Sequence, residues 1–184
     1  MNFKTHSELT NKHAFLSASK YHWVNYDDEK LIHHYNNYTA AAMGTRWHEF
    51  AEECIKLKVK LPKSKKTLNT YVNDAIGFKM IPEQILYYSD NCFGTADAII
   101  FKNNLLRIHD LKTGTGRVSF NQLEVYTAIF CLEYAKKPTN INIELRIYQN
   151  DEVMIHTPNP EDIMRIMDKI ISFDKLIEKI KSGA

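Results

Sequence analysis

The sequence predicts a mixed α/β domain, because strand-like and helix-like segments alternate along it. Apolar runs at 83–89, 92–101 and 105–112 follow one another with only short polar gaps, which is typical of hairpin-connected strands. A helical segment at 119–134 separates them from a fourth strand at 141–149, where apolar and polar residues alternate. The predicted order is therefore helix, three strands, helix and strand, which favours a sheet with helices packed against it.

The N-terminal part is polar and aromatic over 1–40 and shows weak periodicity. A helix is expected to begin near Thr39 or Gly44 and to end at about Leu57. A lysine-rich connector leads to a second, shorter helix over 67–79. The core-facing stripe of the first helix is expected to consist of apolar residues at helical spacing: Trp47, Phe50, Ala51, Cys54 and Ile55.

Helix-start signals organise the C-terminal half. Ser119 and Gln122 have the spacing of a capping box and predict a helix start after the third strand. Residues 152–156 are a candidate hairpin partner for the fourth strand. Asn159, followed by proline and two acids, predicts a last helix over 159–181.

Length and composition bound the class of protein. The chain has 184 residues, which predicts a single domain over 1–184 with 1–40 as an extension packed on the core. The net charge of +2 does not by itself indicate a nucleic-acid partner. No apolar run approaches membrane-spanning length, and the three cysteines are far apart, which indicates reduced thiols. We therefore expect a cytoplasmic protein without a membrane partner.

The chemistry of the chain is expected at the second and third strands. Asp110 and Lys112 share one strand face, and a hairpin can bring Asp97 to the same end of the sheet. These groups, with the backbone carbonyl of Leu111, suit Mg²⁺ or Mn²⁺ beside a phosphate, which favours cleavage of nucleic acid. In the alternative, the two aspartates are strand-end turn residues and the lysine is a solvated partner.

Two pairs of polar residues stand at helical spacing. His48 and Glu52 share a helix face, and both are acceptable metal ligands, although such pairs are common on surfaces. Gln122 and Tyr126 could hold a phosphate or stack on a base. The alternative is that the glutamine caps its helix and the tyrosine belongs to the core.

Two segments are candidates for contact with a sugar-phosphate chain. The turn from Thr113 to Arg117 is rich in glycine and offers backbone donors and one cation, so both end residues are candidate substrate contacts. The lysine connector at 56–66 could follow a nucleic-acid backbone, or it could be a solvated face.

Taken together, these motifs resemble the PD-(D/E)XK nuclease superfamily, and most closely its RecB-like branch, which includes CRISPR-associated and phage recombination exonucleases. Leu16-Ser17-Ala18-Ser19 also resembles a segment that precedes the first helix in many members. The likeness covers about residues 13–148 and rests on motifs in this order: Gly44-x-x-x-His48-x-x-x-Glu52, Gly94-x-x-Asp97, Asp110-x-Lys112-Thr113-Gly114 and Gln122-x-x-x-Tyr126.

The resemblance implies a restriction-endonuclease-like core (α-β-β-β-α-β), in which a central mixed sheet is flanked by helices, and a divalent-metal-dependent DNA nuclease. It makes Lys112 catalytic and Gln122 and Tyr126 substrate or site-support residues. The implied metal ligands are His48, Asp97 and Asp110, with Glu52 at the acidic position of the first motif.

The resemblance also bears on cofactors and pathway. Relatives with an iron–sulfur cluster place one cysteine soon after the Leu-Ser-Ala-Ser segment and three near the C-terminus. Here Tyr26-Asp27 stands near the first position and no cysteine follows Cys131, so no iron–sulfur cluster is expected. The leading hypothesis is a DNA exonuclease of phage or prophage recombination in a bacterial cytoplasm, with processivity supplied by a homo-oligomer or a recombination partner protein. The alternatives are a structure-specific or nicking endonuclease and a non-catalytic nucleic-acid-binding module.

Overall fold

The computed structural model describes Ser7 and residues 14–183, so residues 1–6 and 8–13 of the expected N-terminal extension lie outside the described residues. The chain divides into two compact units at the boundary between Thr45 and Arg46. The packing of residues 1–40 on the core therefore stays a prediction.

Helix α1 spans Asp28–Leu57 and follows a 3₁₀ segment at Ala18–Asn25. The expected start near Thr39 or Gly44 is wrong, whereas the expected end is confirmed. The helix starts at least eleven residues earlier than expected because Asp27 caps it. The Asp27 side chain accepts a hydrogen bond from the backbone N–H of Lys30 at 2.8 Å. The two acids that follow the cap, in the first turn, suit the positive end of the helix dipole.

The second unit contains a five-stranded mixed sheet in the order β1-β2-β3-β4-β5. Every neighbouring pair is antiparallel except β3 and β4, which are parallel. The α/β prediction is confirmed, because helices flank this sheet. The strands are Ile81–Ser89, Cys92–Lys102, Leu105–Leu111, Asn142–Gln149 and Glu152–His156; the helices are α2, Thr67–Phe78, α3, Asn121–Glu133, and α4, Pro160–Ser182.

Each face of the sheet carries its own core. Helices α3 and α4 cover one face, where Ile108, Leu123 and Ile163 are fully buried. On the other face, α2 packs over β3 and β4 around Tyr71 and Tyr148. Helix α3 is the crossover that joins the two parallel strands, as such pairs require. Strand β3, which carries Asp110, is thereby packed on both faces.

The buried stripe of α1 in the second unit is narrower than expected. Ala51, Cys54 and Ile55 are buried, but Trp47 and Phe50 are exposed by 42% and 44%. The expectation that both aromatics face the core is wrong. Three small or medium residues at i, i+3 and i+4 suffice to fix the rotation of the helix, so the two rings stay at the surface.

His109 is fully buried, on the sheet face opposite to that of its neighbour Asp110. Its Nδ1 lies 3.2 Å from the Tyr148 hydroxyl, which donates to Asp74, and the Phe78 ring packs edge-on against the imidazole. Burial, followed by the charges of two nearby arginines, lowers the pKa of His109 to about 3. The imidazole is therefore a neutral core group.

Neutral burial of His109 predicts a loss of stability in acid. The unfolded chain takes up the proton as the pH falls through about 6.5, whereas the folded protein takes it up only near 3. The contribution is thus complete above about pH 6.5 and declines towards pH 3. At about pH 4.5 the free energy of unfolding should fall by about 2–3 kcal/mol through this group. Urea unfolding of the wild type and His109→Gln at about pH 7 and about pH 4.5 measures it; an equal pH dependence in both proteins would contradict the assignment.

None of the helices in the described part of the chain has the length and apolar character that a membrane span requires.

Candidate metal centre

Three carboxylates form a row across the first three strands of the sheet. On β1, Pro82 and Gln84 pair with Ala98 and Ala96 of β2, so Glu83 comes level with Asp97. Asp97 and Asp110 are the next residues beyond the pair of Ala98 and His109 at the end of the β2–β3 ladder. Glu83 also has a φ of 48°, which is uncommon for a residue with a Cβ atom. Strain of this kind is often found at functional sites.

Helix α1 brings a histidine to this row. His48 Nδ1 lies 3.4 Å from Asp97 Oδ2. One donor atom each from His48, Glu83 and Asp97 lie within 4.8 Å of one another, so these three could hold one metal ion. We call them the metal cluster. Glu83 was not predicted from the sequence; only the strand register, which sets it opposite Asp97, could have identified it.

Asp110 and Lys112 lie beside the metal cluster. The Asp110 side chain is 4% exposed, and Lys112 Nζ lies 3.0 Å from both of its oxygens and donates to Oδ1. Asp110 Oδ2 is buried and accepts no hydrogen bond in the described part of the chain, so the ion pair with Lys112 is its compensation. The backbone N–H of Leu111 donates to Asp97 Oδ2 at 2.8 Å, which fixes that carboxylate. A buried carboxylate is costly unless a cation offsets its charge, and Lys112 does so in part here.

The electrostatics of the row favour a cation. Burial, and then the charge of Asp110, raises the pKa of Asp97, while burial and then Asp97 raises that of Glu83. Burial also raises the pKa of Asp110 despite the opposing charge of Lys112. Like charges held close together disfavour one another. Oxygen donors with one imidazole, and an excess of negative charge, fit a divalent ion such as Mg²⁺ or Mn²⁺.

Helix α3 holds the lysine. Gln122 Oε1 accepts from Lys112 Nζ at 3.0 Å, and Gln122 Nε2 donates to the Tyr126 hydroxyl at 3.2 Å. The predicted capping box with Ser119 is wrong, because the N-cap is Phe120 and makes no side-chain cap. The glutamine amide instead binds a charged donor, which makes the stronger hydrogen bond. Gln122 and Tyr126 therefore position Lys112.

Comparison with protein-family models gives a match to a family described as a protein of unknown function, DUF2800, over residues 80–149. The chain is similar to that family from β1 to β4. The matched segment contains the carboxylate row and the lysine but excludes His48. No curated protein and no solved structure matches the chain. The likeness assigns no activity to this chain.

The remaining predicted site residues lie around this centre. Glu52 forms an ion pair with Lys56 and is not part of the metal cluster. Thr113 and Arg117 are exposed on the loop between β3 and α3. That loop is anchored by a residue that was not predicted: Gln149 Nε2 donates to the carbonyls of Gly114 and Gly116 at 2.6 and 2.9 Å. The loop is therefore tied to the end of β4.

Close packing explains the glycine that precedes Asp97 by three residues. A Cβ atom at Gly94 would lie 2.9 Å from Cε1 of Tyr126, inside normal contact. Gly94→Ala should therefore displace the tyrosine, loosen its bond to Gln122 and cost about 1–3 kcal/mol of stability. Gly77→Ala is the matched control, because nothing lies within 4 Å and alanine favours the helix. Thermal unfolding of both variants should give shifts of opposite sign; equal shifts would contradict the packing argument.

Proposed function

We propose that the protein is a divalent-metal-dependent nuclease that hydrolyses phosphodiester bonds in DNA, on a restriction-endonuclease-like core of the RecB-like type. The observation that carries the proposal is the convergence of the carboxylate row, His48 and Lys112 at one end of the sheet. One lysine does not neutralise three carboxylates, and the pKa values of all three are raised, which is typical of a functional site.

The residues divide into ligands and a positioned cation. His48, Glu83 and Asp97 would hold the metal, with Asp110 directly beside them. When bound, Mg²⁺ or Mn²⁺ supplies a water of lowered pKa and offsets charge on the phosphate. The Leu111 N–H fixes Asp97 in place. The backbone carbonyl of Leu111 remains a predicted further ligand.

Lys112 would act on the phosphate. The Lys112 side chain is 32% exposed, so it can reach substrate while Asp110 and Gln122 hold its ammonium from the protein side. A fixed cation beside a reacting phosphate stabilises the charge that develops on its oxygens. Thr113 and Arg117 lie on the adjoining anchored loop and are proposed contacts to the sugar-phosphate chain.

The likeness to recombination exonucleases favours digestion from DNA ends, in the cytoplasm of a bacterial host. The test is incubation of end-labelled linear duplex, single-stranded DNA and closed circular DNA with Mg²⁺, Mn²⁺ or EDTA. We expect metal-dependent loss of linear DNA and survival of circles. Cleavage of circles would identify the endonuclease alternative. Absence of metal-dependent cleavage on every DNA would overturn the proposal and leave the non-catalytic binding module.

A further inference from the structure

A cavity of about 410 Å³ is lined in part by Trp47 and Lys112, which are close in sequence to His48 and Asp110. This volume falls within the range of small-molecule sites, about 300–1,000 Å³. Its apolar lining includes Trp47, Leu68 and Leu111, and its polar lining includes Lys66, Lys112, Asn150 and Asp151. Asp151 offsets the charge of Lys66, so the aromatic ring, the aliphatic side chains and the ammonium of Lys112 together suit a flat, polar-edged ring that is attached to an anion.

Residues that line the cavity are sequence neighbours of residues in or beside the metal cluster. Trp47 immediately precedes His48 on α1, while Leu111 and Lys112 immediately follow Asp110. Lys112 lines the cavity and also donates to Asp110. A phosphate at Lys112 would therefore place the neighbouring base or sugar of its strand at the cavity.

Hydrogen bonds between the β4–β5 turn and the start of α2 fix one wall of the cavity. Asp151, in the turn between β4 and β5, accepts from the backbone N–H of Thr67 at 2.8 Å and from Lys66 Nζ at 3.0 Å. In return, the Thr67 hydroxyl accepts from the backbone N–H of Asp151 at 2.7 Å. The start of α2 is thereby joined to the sheet, so the cavity is largely preformed.

The charge around the cavity indicates which occupant it suits. The connector between α1 and α2 leads to Lys66 at the lining and carries four further exposed lysines: Lys58, Lys60, Lys63 and Lys65. Cations along a connector attract a sugar-phosphate chain without regard to sequence. The exposed face of Trp47 adds the stacking surface that such chains use for unpaired bases.

We infer that this cavity is a subsite for one unpaired nucleobase of the strand whose phosphate reaches Lys112. The inference rests on the proposed function and deepens it by naming the substrate class: a single strand or a frayed end, since a base stacked in a duplex cannot enter. Trp47 stacks on the base, and Lys66 and Asn150 face its polar edge or its phosphate. The site accepts any base, because every base offers a flat face.

The test uses the two tryptophans of the chain, Trp23 and Trp47. In a Trp23→Phe background, the remaining fluorescence reports on Trp47 alone. The probe is an eight-residue oligothymidine, with Ca²⁺ in place of Mg²⁺ and gel analysis to verify that the probe stays intact. We expect saturable quenching by the oligothymidine, and little quenching by the same chain with abasic sites.

Affinity provides the second measurement. By fluorescence anisotropy of labelled oligothymidine, Trp47→Ala should weaken binding about 5- to 150-fold, and Trp47→Phe should weaken it less. Phe173→Ala, which removes an exposed ring on α4, is the matched control and should leave affinity unchanged. Unchanged affinity in Trp47→Ala, or equal quenching by the abasic chain, would overturn the subsite.

The two proposals fail separately. A protein that cuts DNA with metal, but whose Trp47→Ala variant binds the oligothymidine normally, retains the proposed function and lacks the subsite. A protein that cuts no DNA, but whose Trp47 is quenched by the oligothymidine and not by the abasic chain, lacks the nuclease activity and retains the subsite.

Discussion

Asp110→Asn is expected to reduce metal-dependent DNA cleavage at least about 10³-fold while making the metal-free protein no less stable. The amide keeps the shape of the side chain and can still accept from Lys112, so no cavity forms. It removes one negative charge from a row in which the charge of Asp110 raises the pKa of Asp97. Loss of activity together with equal or higher stability would show that the carboxylate serves function at the expense of folding.

Cleavage of labelled linear DNA with Mn²⁺ and thermal unfolding in EDTA provide the two measurements for this variant. The wild type should also gain thermal stability when Mn²⁺ is added, because a ligand that binds only the folded state stabilises it. The variant should gain less. Asp168→Asn, an exposed residue of α4, is the control for the same chemical change. A fully active Asp110→Asn protein would contradict the assigned role of the row.

Lys112→Ala should lower cleavage about 10²- to 10³-fold and leave Mn²⁺ binding intact or tighter. An ammonium group has no lone pair for a metal, so it cannot be a ligand. The charge of Lys112 lowers the pKa of both Asp97 and Asp110, although burial raises them overall. Its removal leaves the carboxylate row more negative. A cation should therefore bind no less strongly once this competing charge is gone.

Isothermal titration with Mn²⁺ and a cleavage assay separate the two effects of the lysine. Lys169→Ala, on the exposed side of α4, removes an ammonium group far from the row in sequence and is the matched control. Two results would show that Lys112 has another role: normal cleavage by the alanine variant, or loss of its metal affinity.

The strands were predictable because their signals are local. Alternation of apolar residues defines β4, and the pairs Asn103-Asn104 and Asn150-Asp151 adopt the positive φ that tight hairpin turns require. The start of α4 was equally clear, since Asn159 accepts from the backbone N–H of Glu161 as its cap. These features depend on a few neighbouring residues, so reading the chain in order suffices.

The features that sequence reasoning missed depend on distant partners. Glu83 belongs to the metal cluster through the register of β1 against β2, which cannot be set without knowing where the hairpin turns. Gln122 has the spacing of a capping residue, but its side chain accepts a hydrogen bond from Lys112, ten positions earlier, and does not cap the helix. The pairing of Asp110 with Lys112 was predictable, because alternation along one strand determines it.

The anchoring of the loop between β3 and α3 has a consequence for how such a protein can change its substrate. Two carbonyls of the loop are bound by Gln149, so its path is set by the sheet. Gly114 and Gly116 have open space around them, so side chains could be added there without altering that path. The loop can therefore exchange its surface groups freely over evolutionary time, while the buried glutamine and the lysine beside the loop stay where the chemistry needs them.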